Sequence, residues 1–294
     1  MPKRHSHEGR KYYKRCRRCH HKFLPSGKPS VPLPEDPIPE DPIPGPGLGI
    51  GSSIGQVIGR FSEPGPFNFR DFRQARRILA IIWGGGGGGN SFNLDAIDYG
   101  GGSSGLAYVE FDVTERIEVV TGSIGKGGRG GTARYTPTSI YNRNNLEMTI
   151  ILGQDGTKSV VDVAYRPPGP VFRQIYSFTA FGGTRLNGGT WLADGPLIPS
   201  EFKSGGENGT PGSNPTGNNG GSGSNAPSLD GHIGSSGGTG GISGAGGPFD
   251  KGKPGQQPGG GGGGGSRNLD LRGMVYYTDA GTGGNGLVLF IRLA

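Results

Sequence analysis

The chain has 294 residues, of which 64 are glycine and 24 proline, and only 31% are hydrophobic. Glycine is thus about threefold above its usual level of roughly 7%, which excludes a side-chain core running through the whole chain. Charge is segregated: residues 1–28 hold ten Lys or Arg and one acid, Glu8, for a net +9 against +7 overall, so everything beyond carries −2. No stretch approaches the roughly 18 unbroken apolar residues of a membrane helix.

Residues 1–28 form a basic arm. MPKRHSHEGRKYYKRC has no apolar segment behind its charges, so it does not read as a secretory signal peptide. Lys3, Arg4, Arg10, Lys11, Lys14, Arg15, Arg17, Arg18 and Lys22, with Tyr12 and Tyr13 among them, suit phosphate contact with counterion release. The same cluster reads as a nuclear-import signal, or as a solvated tail that aids solubility. Within it, Cys16-x-x-Cys19 supplies half of a tetrahedral zinc set. His20 or His21 and one of His5 and His7 complete that set. Two free thiols in a basic arm are the competing reading, and the c-type haem pattern in Cys16–His20 lacks an enclosing fold.

Residues 29–66 read as a Pro/Gly-rich spacer. EDPIP occurs at Glu35–Pro39 and again at Glu40–Pro44, and proline at this density gives an extended polyproline-II segment. PGLGIGSSIGQVIG follows as a flexible or partner-docked stretch.

Residues 67–202 carry the ordered pattern. FNFRDFRQARR (Phe67–Arg77) reads as a short helix or the lead into a strand. ILAIIW, Ile78–Trp83, is an apolar run that meets six glycines, Gly84–Gly89. Period-two alternation then marks half-buried strands. Ala107, Val109, Phe111 and Val113 share one face of LAYVEFDV. Leu146, Met148, Ile150 and Leu152 share one face of LEMTIIL, and Val161, Val163 and Tyr165 one face of SVVDVAY. RIEVVT and VFRQIYSFTAF are further strands, with glycine-rich links such as Gly122–Gly131 between them. Residues 203–265 are almost wholly Gly, Ser, Asn, Pro and Thr, so they are an insertion, either ordered array or disordered. In 266–294, LRGMVYYT and GLVLFIRLA return to strand-like sequence. A closing strand this apolar needs a sheet to join.

The sequence of ILAIIWGGGGGG, YGGGSSGLAYVEFDV, FGGTRLNGGTWLADG, PGGGGGGG and GTGGNGLVLFIRLA resembles the glycine-rich domains of bacteriophage tail-fibre and adhesin proteins over about residues 76–294. More distantly it is similar to the glycine-rich domain of the anaplastic lymphoma kinase receptor family. The resemblance implies a mainly β fold of antiparallel strands combined with polyproline-II-like glycine helices packed side by side. Glycine is then required because a Cβ would hold the backbones apart, as on the collagen axis. Ordering each glycine costs about 1–2 kcal/mol and each net hydrogen bond returns only about 1 kcal/mol, so such an array must be cooperative and closed by packed strands. The N-terminal arm, with two close cysteines before a Pro/Gly region, is similar to the start of papillomavirus minor capsid proteins, although its cysteines lie closer together.

No GxxxxGKS phosphate loop or HExxH is present. The expectation is a non-enzymatic virion protein with no resident cofactor beyond the zinc site above. Its arm anchors to capsid or nucleic acid, and its body binds a host surface or capsid partner through loops. Phe92, Tyr99, Tyr176 and Trp191 are the aromatic candidates for that contact, or else core residues. Two alternatives stand beside it: a nucleic-acid-binding protein whose glycine-rich part is disordered and self-associating, and an extracellular receptor-like module.

Overall fold

Alternating apolar residues pair into two five-stranded antiparallel sheets. A computed structural model of the chain describes residues 55–91, 99–137, 146–196, 198–214, 221–229, 251–269 and 275–293. It gives fourteen strands among them. In chain order these are β1 Val57–Phe61, β2 Gly65–Phe69, β3 Arg77–Trp83, β4 Leu106–Asp112, β5 Ile117–Ile124, β6 Thr132–Pro137 and β7 Leu146–Ile151. They continue with β8 Ser159–Tyr165, β9 Gln174–Ala180, β10 Trp191–Asp194, β11 Phe202–Glu207, β12 Arg267–Leu269, β13 Val275–Tyr277 and β14 Leu287–Arg292. One sheet runs β1-β14-β3-β4-β11, the other β10-β9-β8-β5-β2, and β6-β7 and β12-β13 are separate hairpins. Asp71–Gln74 forms one turn of 3-10 helix that carries Phe72 into the core.

The two sheets bury one core between them. Ile78, Ala80, Ile82, Val109, Phe111 and Phe290 come from the first sheet, and Phe69, Val120, Val161, Val163, Tyr176 and Phe178 from the second. Phe69 stacks on Phe290 with ring centroids 4.1 Å apart, and Phe61 on Phe67 at 4.3 Å. The apolar face read from LAYVEFDV is the buried one for Ala107, Val109 and Phe111, and that of SVVDVAY for Val161, Val163 and Tyr165. β3 and β14 are apolar on both faces. Their outer residues Ile81, Trp83, Leu287 and Ile291 pack with Leu106 and Ala226, and the Trp83 indole Nε1 donates to the Pro227 carbonyl at 2.8 Å.

Several boundaries differ from the sequence expectation. The spacer segment 29–66 ends in ordered structure: β1 lies inside it and pairs with β14, Arg60 opposite Leu289. A Cβ on Gly59 would stand 2.8 Å from the Phe69 ring, so the glycine lets that ring lie against β1. The strand read as RIEVVT runs on through Gly122 to Ile124, taking residues from an expected link. β10 and β11 were not anticipated. β11, FKSGGE, opens the expected insertion and pairs with β4 along its length. The 1–28 arm lies outside the described residues.

The oligoglycine run is an ordered helix at the centre of a packed bundle. Residues 84–90 donate their N–H groups in strict rotation, with N···O distances of 2.8–3.4 Å. Gly84, Gly87 and Asn90 bond to Gly105, Gly102 and Tyr99; Gly85 and Gly88 to Thr157 and Gln154; Gly86 and Gly89 to Gly284 and Gly281. A period of three is that of a polyproline-II helix. The carbonyls point in the directions between: Gly85 accepts from Gly183, Gly86 and Gly89 from Gly128 and Gly131, and Gly87 and Asn90 from Gly262 and Gly265. Six segments therefore ring the central one, and each bonds to the next around the ring: 99–105, 181–184, 152–158, 125–131, 278–286 and 259–266.

These glycines serve close approach. A Cβ on Gly85, Gly86, Gly87 or Gly88 would fall 2.0–2.2 Å from a neighbouring carbonyl oxygen, whereas among the described residues the glycines with positive φ are Gly65, Gly169, Gly195 and Gly259. Gly88→Ala places its methyl 2.1 Å from the Arg129 oxygen, an atom of the backbone. Overpacking there should cost about 3 kcal/mol or more. We expect Tm to fall by roughly 6–12 °C, against no measurable change for Thr282→Ala on the exposed outside. Amide hydrogen exchange should show protection at Gly85–Gly89 and Gly261–Gly265, and random-coil exchange at both runs would refute the array.

Candidate functional site

The array has two different ends. β3 and β5 run into it at their C-termini, and β4, β8 and β14 leave it at their N-termini, so strands of both sheets meet the same end. At the opposite end the segments 125–131 and 152–158 pass into the β6-β7 hairpin, and 259–266 and 278–286 join the β12-β13 hairpin. β6 packs against β13. Four of the six ring segments thus lead to one end remote from the sandwich.

Asn90 and Ser91 close that end. They are the first side chains after the glycine run, and both are buried at 1% exposure. Asn90 spends its N–H on Tyr99, its carbonyl on Gly265, and its side-chain Oδ1 on the Gly153 N–H at 2.9 Å, which ties three segments together. Ser91 Oγ donates to the Thr278 carbonyl at 2.5 Å, while the Ser266 N–H bonds to Thr278 Oγ1 at 2.7 Å and the Thr278 N–H returns to the Ser266 carbonyl. Side-chain oxygens take over where backbone neighbours run out, because a buried N–H left unpaired costs about 1–3 kcal/mol. Sequence reading passed over this pair. The available signal was an Asn-Ser dipeptide directly after an oligoglycine run. Near this surface Ile151 and Leu152 are exposed at 46% and 39%.

The residues singled out from the sequence fall in different places. Tyr176 is a core residue at 1% exposure, T-stacked on Tyr165 and packed on Phe202, so it is not a contact residue. Trp191 is half-buried against the sandwich core and lies over Gly206. Tyr99 is half-buried at the far end of the array, where its carbonyl receives the Asn90 N–H. Phe92 lies outside the described residues. So do the proposed nucleic-acid contacts Lys3 to Lys22 and the proposed zinc ligands His7, Cys16, Cys19 and His20. Gly101–Gly105, GGSSG, spells the letters of a hydrolase nucleophile elbow. Ser103, however, sits inside the array with its Oγ accepting from the Thr210 N–H at 3.0 Å, without the strand-to-helix turn that the elbow needs. Among the described residues no helix is long and apolar enough to cross a membrane.

A bundle of glycine segments continuous with a β sandwich is the observation that decides kinship. A family profile described as a glycine-rich domain matches residues 62–292. The chain belongs to this glycine-rich domain family. The matched span runs from the turn before β2 to the end of β14, so it takes in the second sheet, the first sheet without its edge strand β1, and the array between the strand ends and the hairpins. A search among curated proteins finds no match.

Asn90→Ala leaves the Gly153 N–H without its partner, and stability should fall by about 1–3 kcal/mol. Hydrogen exchange should rise in β6, β7, β12 and β13 while β3, β8 and β9 stay protected. In the sandwich, burial first, and then Tyr165 and Glu201, push the Tyr176 hydroxyl above its ordinary value. The folded state therefore holds that proton more tightly. Its contribution to stability is full below about pH 10 and is lost as pH rises through the folded-state value. An ultraviolet titration of the folded chain should contain a late tyrosinate step that Tyr176→Phe removes.

Proposed function

We propose that the protein is a non-enzymatic structural component of a virion, attachment- or adhesin-like, whose far array surface engages a host or capsid partner. The basic arm is its anchor to capsid or nucleic acid. The observation that carries this reading is the two-ended build. A hydrogen-bonded bundle separates the sandwich from the β6-β7 and β12-β13 hairpins and holds their four stems in fixed register. Binding surfaces are commonly loops on a preformed scaffold, and a preorganised surface loses less entropy on docking. The likeness to phage tail-fibre domains supplies the viral setting, and the arm's likeness to papillomavirus minor capsid proteins points to a virion component that visits the nucleus.

The nucleic-acid-binding alternative rests on the arm's charge. Its other half needs a glycine-rich region free to self-associate, and the bonded state of 84–90 and 259–265 weighs against that half.

Exchange of residues 138–145, which join β6 to β7, and 270–274, which join β12 to β13, for short Gly-Ser linkers tests the reading. Partner capture from purified virions or host surface extracts should drop at least tenfold at unchanged Tm. Deletion of residues 1–28 should leave capture intact and remove incorporation into particles. Capture that survives the exchange overturns the assignment.

A further inference from the structure

Segment 125–131 is bonded to 84–90 beneath it and to 152–158 and 278–286 at its sides, and among the described residues no segment bonds to its fourth side. Along that side lies a groove of about 530 Å³ with glycine backbone at Gly127, Gly128 and Gly283 for a floor. The volume falls in the range of roughly 300–1,000 Å³ usual for ligand sites. Among the described residues its side chains are all polar or charged, with no aliphatic or aromatic residue in the lining.

The period of three sets the charges. In GKGGRGG, Lys126 and Arg129 are the residues that face outward, and both are exposed while Gly128, Gly130 and Gly131 are buried. Three residues of a polyproline-II helix advance about 9 Å, so two cations stand in one line along the groove. Among the described residues neither has an acidic partner. Among the described residues the lining holds one carboxylate against these two cations: Asp155, whose Oδ1 accepts from the Arg185 N–H at 2.9 Å and whose Oδ2 keeps acceptor capacity. Asn285, a lining residue, accepts from the Gly127 N–H through Oδ1 at 3.0 Å, which keeps its –NH2 for donation. The Thr157 hydroxyl is likewise occupied by the Lys126 N–H at 2.7 Å. Free donors therefore outnumber free acceptors, and the two strongest donors are cationic.

An occupant must be polar, rich in acceptors and acidic. Single-stranded nucleic acid is a poor match, because its bases are held by stacking on aromatic rings and none lines the groove among the described residues. We infer that this groove is a binding site for an acidic oligosaccharide: Lys126 and Arg129 take its carboxylates, and Gln154, Thr282 and Asn285 take its hydroxyls. The site lies on the flank of the array, apart from the hairpin surface, and stands independently of the function proposed above.

Titration of the full chain with a uronic-acid trisaccharide, followed by backbone amide shifts, tests the inference. Shifts should concentrate at Gly127, Gly128 and Gly283, and the affinity should fall as salt is raised. The carboxyl-reduced, neutral trisaccharide should bind at least tenfold more weakly. Lys126→Ala/Arg129→Ala should lose at least tenfold at these same amides with Tm unchanged. Asn285→Asp, which keeps the oxygen that Gly127 needs but adds a negative charge, should also weaken binding. The basic arm contributes a salt-dependent background that the groove variants leave in place and that does not move these amides. The inference is overturned if the groove amides do not shift, if the neutral trisaccharide binds equally, if the double variant binds as tightly as the parent, or if an oligonucleotide of equal charge displaces the saccharide from these amides.

Discussion

The distance between adjacent backbones is the quantity on which this structure depends. In the array a peptide N–H meets the carbonyl of the next segment with no side chain between them, and a methyl at most of these positions would occupy the place of a neighbour's oxygen. A helix with three residues per turn offers bonds in three directions, and its carbonyls fill the three directions between. Hexagonal packing follows. The composition of each segment then reports how enclosed it is. The central run is six glycines and an asparagine. Segment 259–265, bonded to 84–90, 99–105, 221–228, 251–256 and 278–286, is glycine throughout. Segment 125–131, with one side unbonded among the described residues, carries Lys126 and Arg129 there and glycine everywhere else.

Such a bundle buries little apolar surface, so it cannot draw on the hydrophobic effect that drives most folding. The sandwich supplies what it lacks. Its strands set the starting positions of the glycine segments, because neighbours in an antiparallel sheet bring one C-terminal and one N-terminal end to the same edge. Trp83 is followed by Gly84 and Leu106 is preceded by Gly105, and the pairing of Trp83 with Leu106 continues directly into the Gly84–Gly105 bond. The array is a continuation of the sheet's register by other means.

This division also decides what can be read without coordinates. Strands with apolar alternation, such as LAYVEFDV and SVVDVAY, declare themselves because one face is buried. The array is implied by the resemblance of the glycine runs and their flanking strands to known glycine-rich domains, while the apolar closing strand shows only that the chain returns to a sheet after residue 265. β11 could not be anticipated, because FKSGGE at a sheet edge is held by backbone pairing with β4 and shows no alternation. β1 was hidden by Gly59, which makes room for Phe69, a neighbour that only the folded chain reveals. The partners of each glycine are equally invisible: Gly86 and Gly284 are far apart in sequence, and a glycine carries no mark of which carbonyl it will meet. Tyr176, read as a contact candidate, is core because the alternation of β9 turns it inward with Phe178. Asn90 and Ser91, which secure the far end, look like any polar pair after a glycine run.

The continuity of strand and glycine segment has a mechanical consequence. A pull on the β6-β7 or β12-β13 hairpins travels along covalent chain through the array and into strands of both sheets. The bonds between segments lie across that line of force, so they are loaded together in shear and cannot open one after another like a zipper. Tension on one segment is shared with the neighbours bonded to it, and a body built in this way can hold its far surface in place under drag with almost no side chains in its shaft.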